Sequence, residues 1–512
     1  MLVNNFLEIA AQTKPDKNAA WCKNEWMSYG QIDLFANKVA NYLTHCGIKK
    51  GDRVALLYEN SHDYIINYYA ILKAGAVTVS LNNEITSDTL IYLLNDCGAK
   101  AIITNKRFSK FLIPALTKIP YLQNVIIDQN DLSAYEEIGH CNQVQLSEIY
   151  ENGKSNNPSI RNIDIDLASI VYTSGSTGKP KGVTLSHLNI ITNTRSIVQY
   201  LALTDNDKIM VVLPFYYIYG KSLLNTHFYV GASVIIDNRF AFPNVVLETM
   251  KKMQATGFSG VPSTFMILLN KSTLKNYKFD DLRYITQAGG AMAPQIQKEV
   301  AAAFKPAKLF IMYGATEASA RLSYLPPENL EKKWGSIGKP IPNVDLFIAD
   351  NNGIEKSQGE IGEIVARGAN IMQGYWNDLE ETRNVLKNGL YYTGDLGRMD
   401  EDGFLYVVGR TKDMIKVGGE RISAKEIEEK ILEINEVHET AVIGVEDETL
   451  GEAIKAFIVP RDDAEVNIDL IKKSLLKKMP PIKLPKYYEI VSHLPKNESG
   501  KILKSKLKEK QN

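Results

Sequence analysis

Val171-Tyr-Thr-Ser-Gly-Ser-Thr-Gly-Lys-Pro-Lys-Gly-Val-Thr184 is the stretch from which the rest of the chain can be read outward. It continues an apolar run, Leu167-Ala-Ser-Ile-Val-Tyr172, of the length and composition of a buried strand. From Thr173 to Gly182 nearly every residue is a hydroxyl, a glycine or a lysine. Gly175, Gly178 and Gly182 let backbone N–H groups turn inward; Thr173, Ser174, Ser176 and Thr177 add donors; Lys179 and Lys181 add positive charge. That chemistry suits a polyphosphate. A Gly/Ser linker is the bland alternative, but linkers seldom sit directly behind a buried strand. The P-loop of common nucleotide hydrolases is excluded by spacing. Thr173 stands where its first glycine belongs, and Pro180 follows the lysine.

The chain has 512 residues, enough for two or more domains around substantial cores. Its 59 basic and 59 acidic residues balance, which gives no support to a nucleic-acid partner. Cys22, Cys46, Cys97 and Cys141 have neither metal-like spacing nor a CxxC pair, so they read as reduced thiols. No apolar run reaches membrane-spanning length, and the N-terminus lacks a basic signal-peptide start. A cytoplasmic protein that is not integral to a membrane is expected.

Upstream of the clamp, residues 30–47 have the apolar spacing of an amphipathic helix. Strand patterns at Asp52–Tyr58, Ala76–Leu81 and Ala101–Thr104 alternate with helical ones at Asp63–Leu72 and near 87–97. This alternation predicts βαβ units and parallel sheet. Asn152–Asp164 is polar and reads as a loop. Downstream, Lys208–Leu213, Ser233–Ile236, Tyr284–Thr286 and Lys308–Met312 are further strand candidates. A helix at Ala424–Leu432 and a strand at Ala453–Val459 predict a small α+β unit from about 410, with a hinge near Gly409–Asp413. Residues 471–512 hold twelve lysines against three glutamates, more plausibly a solvated surface than a binding site.

Other stretches could carry chemistry. Gln287-Ala-Gly-Gly-Ala291 follows a strand with two glycines and suits close approach to a planar ligand. Ile311-Met-Tyr-Gly-Ala-Thr-Glu317 offers a ring, a hydroxyl and a carboxylate, which suit a base and Mg²⁺. In Tyr391-Tyr-Thr-Gly-Asp395, a carboxylate just past a strand can bond both hydroxyls of a ribose. Each is otherwise an ordinary turn. His187 and His227 are isolated and read as structural.

Taken in order, these motifs resemble the adenylate-forming superfamily of acyl-CoA synthetases, peptide-synthetase adenylation domains and beetle luciferases. The resemblance covers essentially the whole chain. It also takes in Ser28–Tyr42, Leu72–Val77, Gly409–Glu428 and Ser499-Gly-Lys501. It implies an α/β protein: a large N-terminal multi-layer α/β domain over 1–408 and a small, mobile α+β domain over 409–512. It also implies ATP, Mg²⁺ and a small carboxylic acid as reactants. The acid attacks the α-phosphate, pyrophosphate leaves, and the acyl-AMP passes its acyl group to a thiol.

By the same resemblance, Thr173, Ser174, Gly175, Ser176, Thr177, Gly178, Lys179 and Lys181 hold the β- and γ-phosphates. Gly290, Ala291 and Tyr313 line the adenine, Gly314 belongs to the ATP site beside them, and Asp395 with Arg410 takes the ribose. Thr316 touches the α-phosphate, Glu317 is the metal ligand, and Lys501 bridges carboxylate and α-phosphate. Lys412 is the hinge residue; Lys416, Gly418, Gly419 and Arg421 serve the thioester step.

The acyl pocket departs from the family pattern. Where acyl-CoA synthetases often carry Pro-Leu-Phe-His-x-x-Gly, this chain has Pro214-Phe-Tyr-Tyr217-Ile-Tyr219-Gly220, so Tyr217 replaces the histidine. Tyr216 stands where amino-acid-activating domains place an aspartate, which argues against an α-amino acid substrate. The aromatic cluster either lines an apolar acyl or aryl pocket or plugs its far end. Gly260, Gly289 and Ser319 complete the expected wall. Coenzyme A is the expected acceptor. The alternative is a carrier-protein phosphopantetheine, met by the basic tail. A phosphate-transferring NTPase or kinase is the rival class, and it would release ADP where adenylation releases AMP and pyrophosphate.

Overall fold

The computed structural model describes residues 1–128, 141–158, 160–173, 179–350, 352–410, 413–417, 420–447, 450–461, 464, 466–496 and 502–509. Ser174, Gly175, Ser176, Thr177, Gly178, Lys412, Gly418, Gly419 and Lys501 therefore lie outside the described residues.

Short runs of β-branched and aliphatic residues form the centres of two large sheets. The first has the order Gly374–Tyr375, Lys181–Ser186, Leu167–Thr173, Val77–Ser80, Arg53–Leu57, Ala101–Asn105, Asn124–Asp128, Asn142–Gln145. It is parallel from Leu167–Thr173 onward, as the βαβ alternation predicts. Strands such as Val77–Ser80 are buried throughout, the expectation for parallel strands covered on both faces. The second sheet runs Lys339–Pro340, Ser323–Leu325, Lys308–Tyr313, Tyr284–Gln287, Gly257–Gly260, Lys208–Val211, Ser233–Ile236, Asn18–Cys22, Glu25–Ser28.

The helices follow the sequence signals. Ser28 accepts from the Gln31 amide and Gln31 returns the bond, a capping box that starts Tyr29–His45. The largest core joins both sheets, with Leu56 and Ile103 from one and Val211 and Val234 from the other. Helices His187–Leu201 and Ile218–Val230 contribute Ile197, Leu223 and Leu224 to it.

One feature adds to the sequence expectation and a second differs from it. The clamp joins Leu167–Thr173 to the antiparallel Lys181–Ser186, with Thr173 opposite Lys181. Its stem is therefore a hairpin, and no helix starts at the lysine. Asp395 lies within strand Leu390–Met399, not past its end. Gly394, at φ +73°, and a register shift after Leu396 make a bulge that re-aims the carboxylate. This strand belongs to a third, antiparallel sheet with Val344–Ala349, Gly362–Gly368, Leu386–Lys387 and Leu405–Arg410, which the sequence pattern did not reveal.

The C-terminal unit is the expected α+β layer. Strands Glu420–Ser423, Met414–Val417, Gly451–Pro460, Val437–Asp447 and Tyr487–Ile490 form one sheet. Helices Ala424–Leu432 and Ile468–Leu476 pack on it around a separate core that includes Ile427, Ile431, Ile454 and Leu475.

Candidate active site

Asp395 is the centre of a cluster assembled from three strands. Tyr313, at the end of Lys308–Tyr313, donates its hydroxyl to Asp395 Oδ2 at 2.7 Å. Arg410 lies opposite Asp395 in register and donates Nε to Oδ1 at 2.8 Å. Burial, and then the Asp395 charge, push the Tyr313 phenol well above its ordinary range. The same carboxylate raises the Arg410 guanidinium. The carboxylate is thus held in one orientation by two donors, between an aromatic ring and a fixed cation.

The turn after Tyr313 has no freedom. A Cβ on Gly314 would stand 2.0 Å from the Ala320 carbonyl oxygen, so only glycine fits. Thr316–Ala318 then forms a 3₁₀ turn with Thr316 buried. Glu317 accepts the Tyr375 hydroxyl at 2.8 Å, and its carbonyl takes the Met372 amide at 2.7 Å. Tyr375 arrives on Gly374–Tyr375, which pairs with the clamp strand Lys181–Ser186. Lys181 ion-pairs with Glu381, and its ammonium sits 5.3 Å from the Tyr375 ring centre. The clamp stem and the Glu317 turn therefore meet. Thr173 is half-buried beside Lys181, and Lys179 is exposed.

The expected pocket residues separate into two groups. Gly289 has φ +82°, and a Cβ built on it would stand 3.0 Å from Val261 and 3.8 Å from the Tyr217 hydroxyl. Gly290 lies beside it, with its carbonyl held by Gln287 Nε2 at 2.8 Å, and Ala291 is exposed. Gly260 packs on Thr264, and Tyr216 is half-buried. Tyr219 turns away into the core, where its hydroxyl reaches the Thr286 carbonyl at 3.0 Å and Arg321 covers its ring at 4.1 Å. Gly220 is required by the Pro214 carbonyl, 2.0 Å from where a Cβ would be. Ser319, at φ +54°, bonds the Asn370 carbonyl at 2.8 Å, two residues beyond Glu317. Lys416 is exposed on Met414–Val417, in register with Arg421.

Among the described residues no group of three or more His, Cys, Asp or Glu side chains could hold a metal. A single carboxylate such as Glu317 fits Mg²⁺ shared with phosphate oxygens, since that ion keeps waters and takes few protein ligands. The narrow Gly314 turn, the Glu317 carboxylate and the Tyr313–Asp395–Arg410 cluster together fit ATP with Mg²⁺.

His187 accepts the Val3 amide, and His227 is held by the Leu223 carbonyl and the Tyr284 hydroxyl. Burial lowers both imidazoles to about 4. Neither adjoins the candidate site residues. Tyr375, Glu381 and Asn370 were missed by sequence reading. No local pattern marks them, because only the pairing of 374–375 with 183–184 brings them in.

The arrangement has the groups that a nucleotide with Mg²⁺ needs. The chain belongs to the AMP-binding enzyme family, whose model matches residues 7–376 and whose C-terminal domain model matches 426–501. It is 32% identical to a long-chain-fatty-acid–CoA ligase of Bacillus subtilis (strain 168), over 99% of this chain and 94% of the relative. It is similar in structure to the anthranilate CoA ligase AuaEII in complex with anthranoyl-AMP, with a TM-score of 0.92, 26% identity and coverage of 100% and 97%. It is also similar to the o-succinylbenzoate coenzyme A synthetase of Bacillus subtilis in complex with ATP and magnesium, with a TM-score of 0.84, 27% identity and coverage of 98% and 99%.

Proposed function

We propose that this protein is an AMP-forming acid–thiol ligase that activates a small carboxylic acid with ATP and passes the acyl group to coenzyme A. The observation that carries the reading is Asp395, oriented by Tyr313 and Arg410 to take the two ribose hydroxyls while the ring lies against the base. Glu317, whose carboxylate accepts the Tyr375 hydroxyl, would hold Mg²⁺, which when bound neutralises phosphate charge. Lys181 and the rest of the clamp hold the departing pyrophosphate, and Thr316 the α-phosphate. The acid's carboxylate is then guided to phosphorus by Lys501, a mobile point charge on a long stem.

The second step belongs to the C-terminal domain, taken as 409–512, turning about Lys412 so that Lys416, Gly418, Gly419 and Arg421 face the thiol. In the present arrangement Ser423 Oγ and Lys425 Nζ donate to the carbonyls of Val408 and Val407, at the seam such a rotation would break. Coenzyme A, and not a carrier protein, is favoured by the tail. Six of its twelve lysines (472, 478, 483, 486, 496 and 504) are already paired with carboxylates of this chain. The net positive charge left to attract an acidic partner is correspondingly smaller. A cytoplasmic setting is supported by four free cysteines, buried or half-buried, with Cys46 pushed up to about 11 and Cys97 to about 12 by burial.

ATP–pyrophosphate exchange over a carboxylic acid panel tests the first step. Competition between coenzyme A and a phosphopantetheinylated carrier then tests the acceptor. Acid-independent release of ADP would refute the reading in favour of phosphate transfer.

A further inference from the structure

Lys181 opens strand Lys181–Ser186 opposite Thr173, so its backbone is fixed at the base of the clamp. Its side chain is 13% exposed, and its ammonium ion-pairs with Oε1 of Glu381, 200 positions further along the chain. A lysine is a point charge on a flexible four-carbon stem with three rotatable donors, so its charge has a direction only where something holds it. Two groups do so here. One is the Glu381 carboxylate, and the other is the Tyr375 ring, whose centre lies 5.3 Å from the ammonium.

Glu381 is itself held. It belongs to helix Leu379–Val385, whose N-cap Asp378 accepts the Glu381 amide at 2.9 Å. Its Oε2 accepts Asn384 Nδ2 at 3.3 Å, while Oε1 takes the lysine. Thr382 ties the helix to the strand beside the clamp: its Oγ1 accepts the Tyr375 amide at 2.8 Å and donates to the Asp378 carbonyl at 2.7 Å. The Trp376 amide reaches the Gly182 carbonyl at 2.7 Å, and Tyr375 pairs with Val183. The carboxylate therefore arrives at Lys181 on a turn locked to the lysine's own strand. A negative charge repels a polyphosphate, so what Glu381 offers a bound nucleotide is direction and not attraction.

We propose that Glu381 is a positioning residue for the clamp, holding the Lys181 ammonium toward the β- and γ-phosphates of ATP without touching them itself; this rests on the phosphate role given to Lys181 above. One donor of the ammonium stays on Glu381, and the other two serve phosphate oxygens. Because the direction is set before the nucleotide arrives, binding removes less side-chain freedom than it would from a loose lysine. Tyr375 extends the arrangement, since its hydroxyl donates to Glu317 Oε1 at 2.8 Å. One short segment, 375–381, thus sets both the clamp lysine and the carboxylate assigned to Mg²⁺.

The test is calorimetric titration of the full chain with ATP and with AMP, both with Mg²⁺, since AMP lacks the two phosphates in question. Glu381→Ala should weaken ATP binding about tenfold, the size of one charge-assisted contact, and leave AMP binding within about twofold. Lys181→Met should weaken ATP selectively as well, and adding Glu381→Ala to it should change nothing more, because Glu381 acts through the lysine. Equal weakening of ATP and AMP by Glu381→Ala would show a structural role only. Unchanged or tighter ATP binding would show that the carboxylate does not aim the lysine, and additive losses in the double variant would show that it acts apart from Lys181. Each of these overturns the proposal while the phosphate role of Lys181 stands. If Lys181→Met leaves ATP binding unchanged, that role falls and the proposal falls with it. If Glu381→Ala does not fold, Glu381→Met keeps the length of the side chain without the acceptor and takes its place.

Discussion

Asp395 shows how much one side chain depends on its neighbours. Both its oxygens already carry a charge-assisted or buried hydrogen bond, from Arg410 and Tyr313, so its direction is set before any nucleotide arrives. Asp395→Asn keeps the shape but removes the charge. We expect the KM for ATP to rise by about 30- to 100-fold, with a smaller change in kcat, because hydrogen bonds to a charged group are worth about 1.5–3 kcal/mol. Initial-rate measurements over ATP concentration check this. In its proposed role Lys501 acts on charge that develops only in the reaction. Lys501→Ala is expected to lower pyrophosphate exchange by about two to four orders of magnitude. Exchange near the wild-type rate would remove Lys501 from its assigned role.

Elements carry the next layer of constraint. The strand-to-turn passage from Tyr313 to Ala318 works because Gly314 lets the Ala320 carbonyl close in. Gly314→Ala forces the turn outward, at a cost of about 1–3 kcal/mol from overpacking. Because Thr316 and Glu317 move with it, ATP binding should fail before the fold does. Chemical denaturation together with nucleotide titration separates the two effects. At the proposed hinge, Lys412→Pro should spare acyl-AMP formation and slow thioester formation, since in that proposal only the second step needs the other domain orientation. Equal loss in both half-reactions, measured by single turnover, would argue against a hinge there.

Element type was largely legible in the sequence and element pairing was not. The runs at 53–57, 77–80 and 101–105 and the helix at 29–45 follow from apolar spacing, which is local. The sheet from Val344 to Arg410 escaped because its strands mix polar with apolar residues and pair across intervening segments, as Gly362 does with Gly397. Tyr375 escaped for the same reason.

Across the whole molecule, two buried histidines tie stability to pH. His187 and His227 are neutral in the folded state, lowered by burial from 6.5 to about 4. Their contribution is complete above about pH 6.5. It is lost as pH falls toward about 4, because the unfolded chain binds the proton first. Each imidazole can withdraw up to about 3 kcal/mol over that window. Urea midpoints should fall between pH 7 and pH 5, and His227→Gln should flatten the slope. An unchanged slope would show that His227 is not the titrating group.

The sequence alone determined the chemistry on offer: a Gly/Ser/Thr/Lys clamp behind a strand, a Tyr-Gly-Ala-Thr-Glu turn, a Gly-Asp, and a lysine near the end. Those are runs of a few residues whose meaning is fixed by side-chain type and spacing. Tertiary structure decided which groups meet. It made the clamp stem a hairpin, set Tyr375 between Lys181 and Glu317, and turned Tyr219 into the core. It also buried Lys221 against Ser80, with no carboxylate paired to it among the described residues. Burial and pairing depend on residues tens to hundreds of positions apart, and no local pattern in the chain encodes that distance.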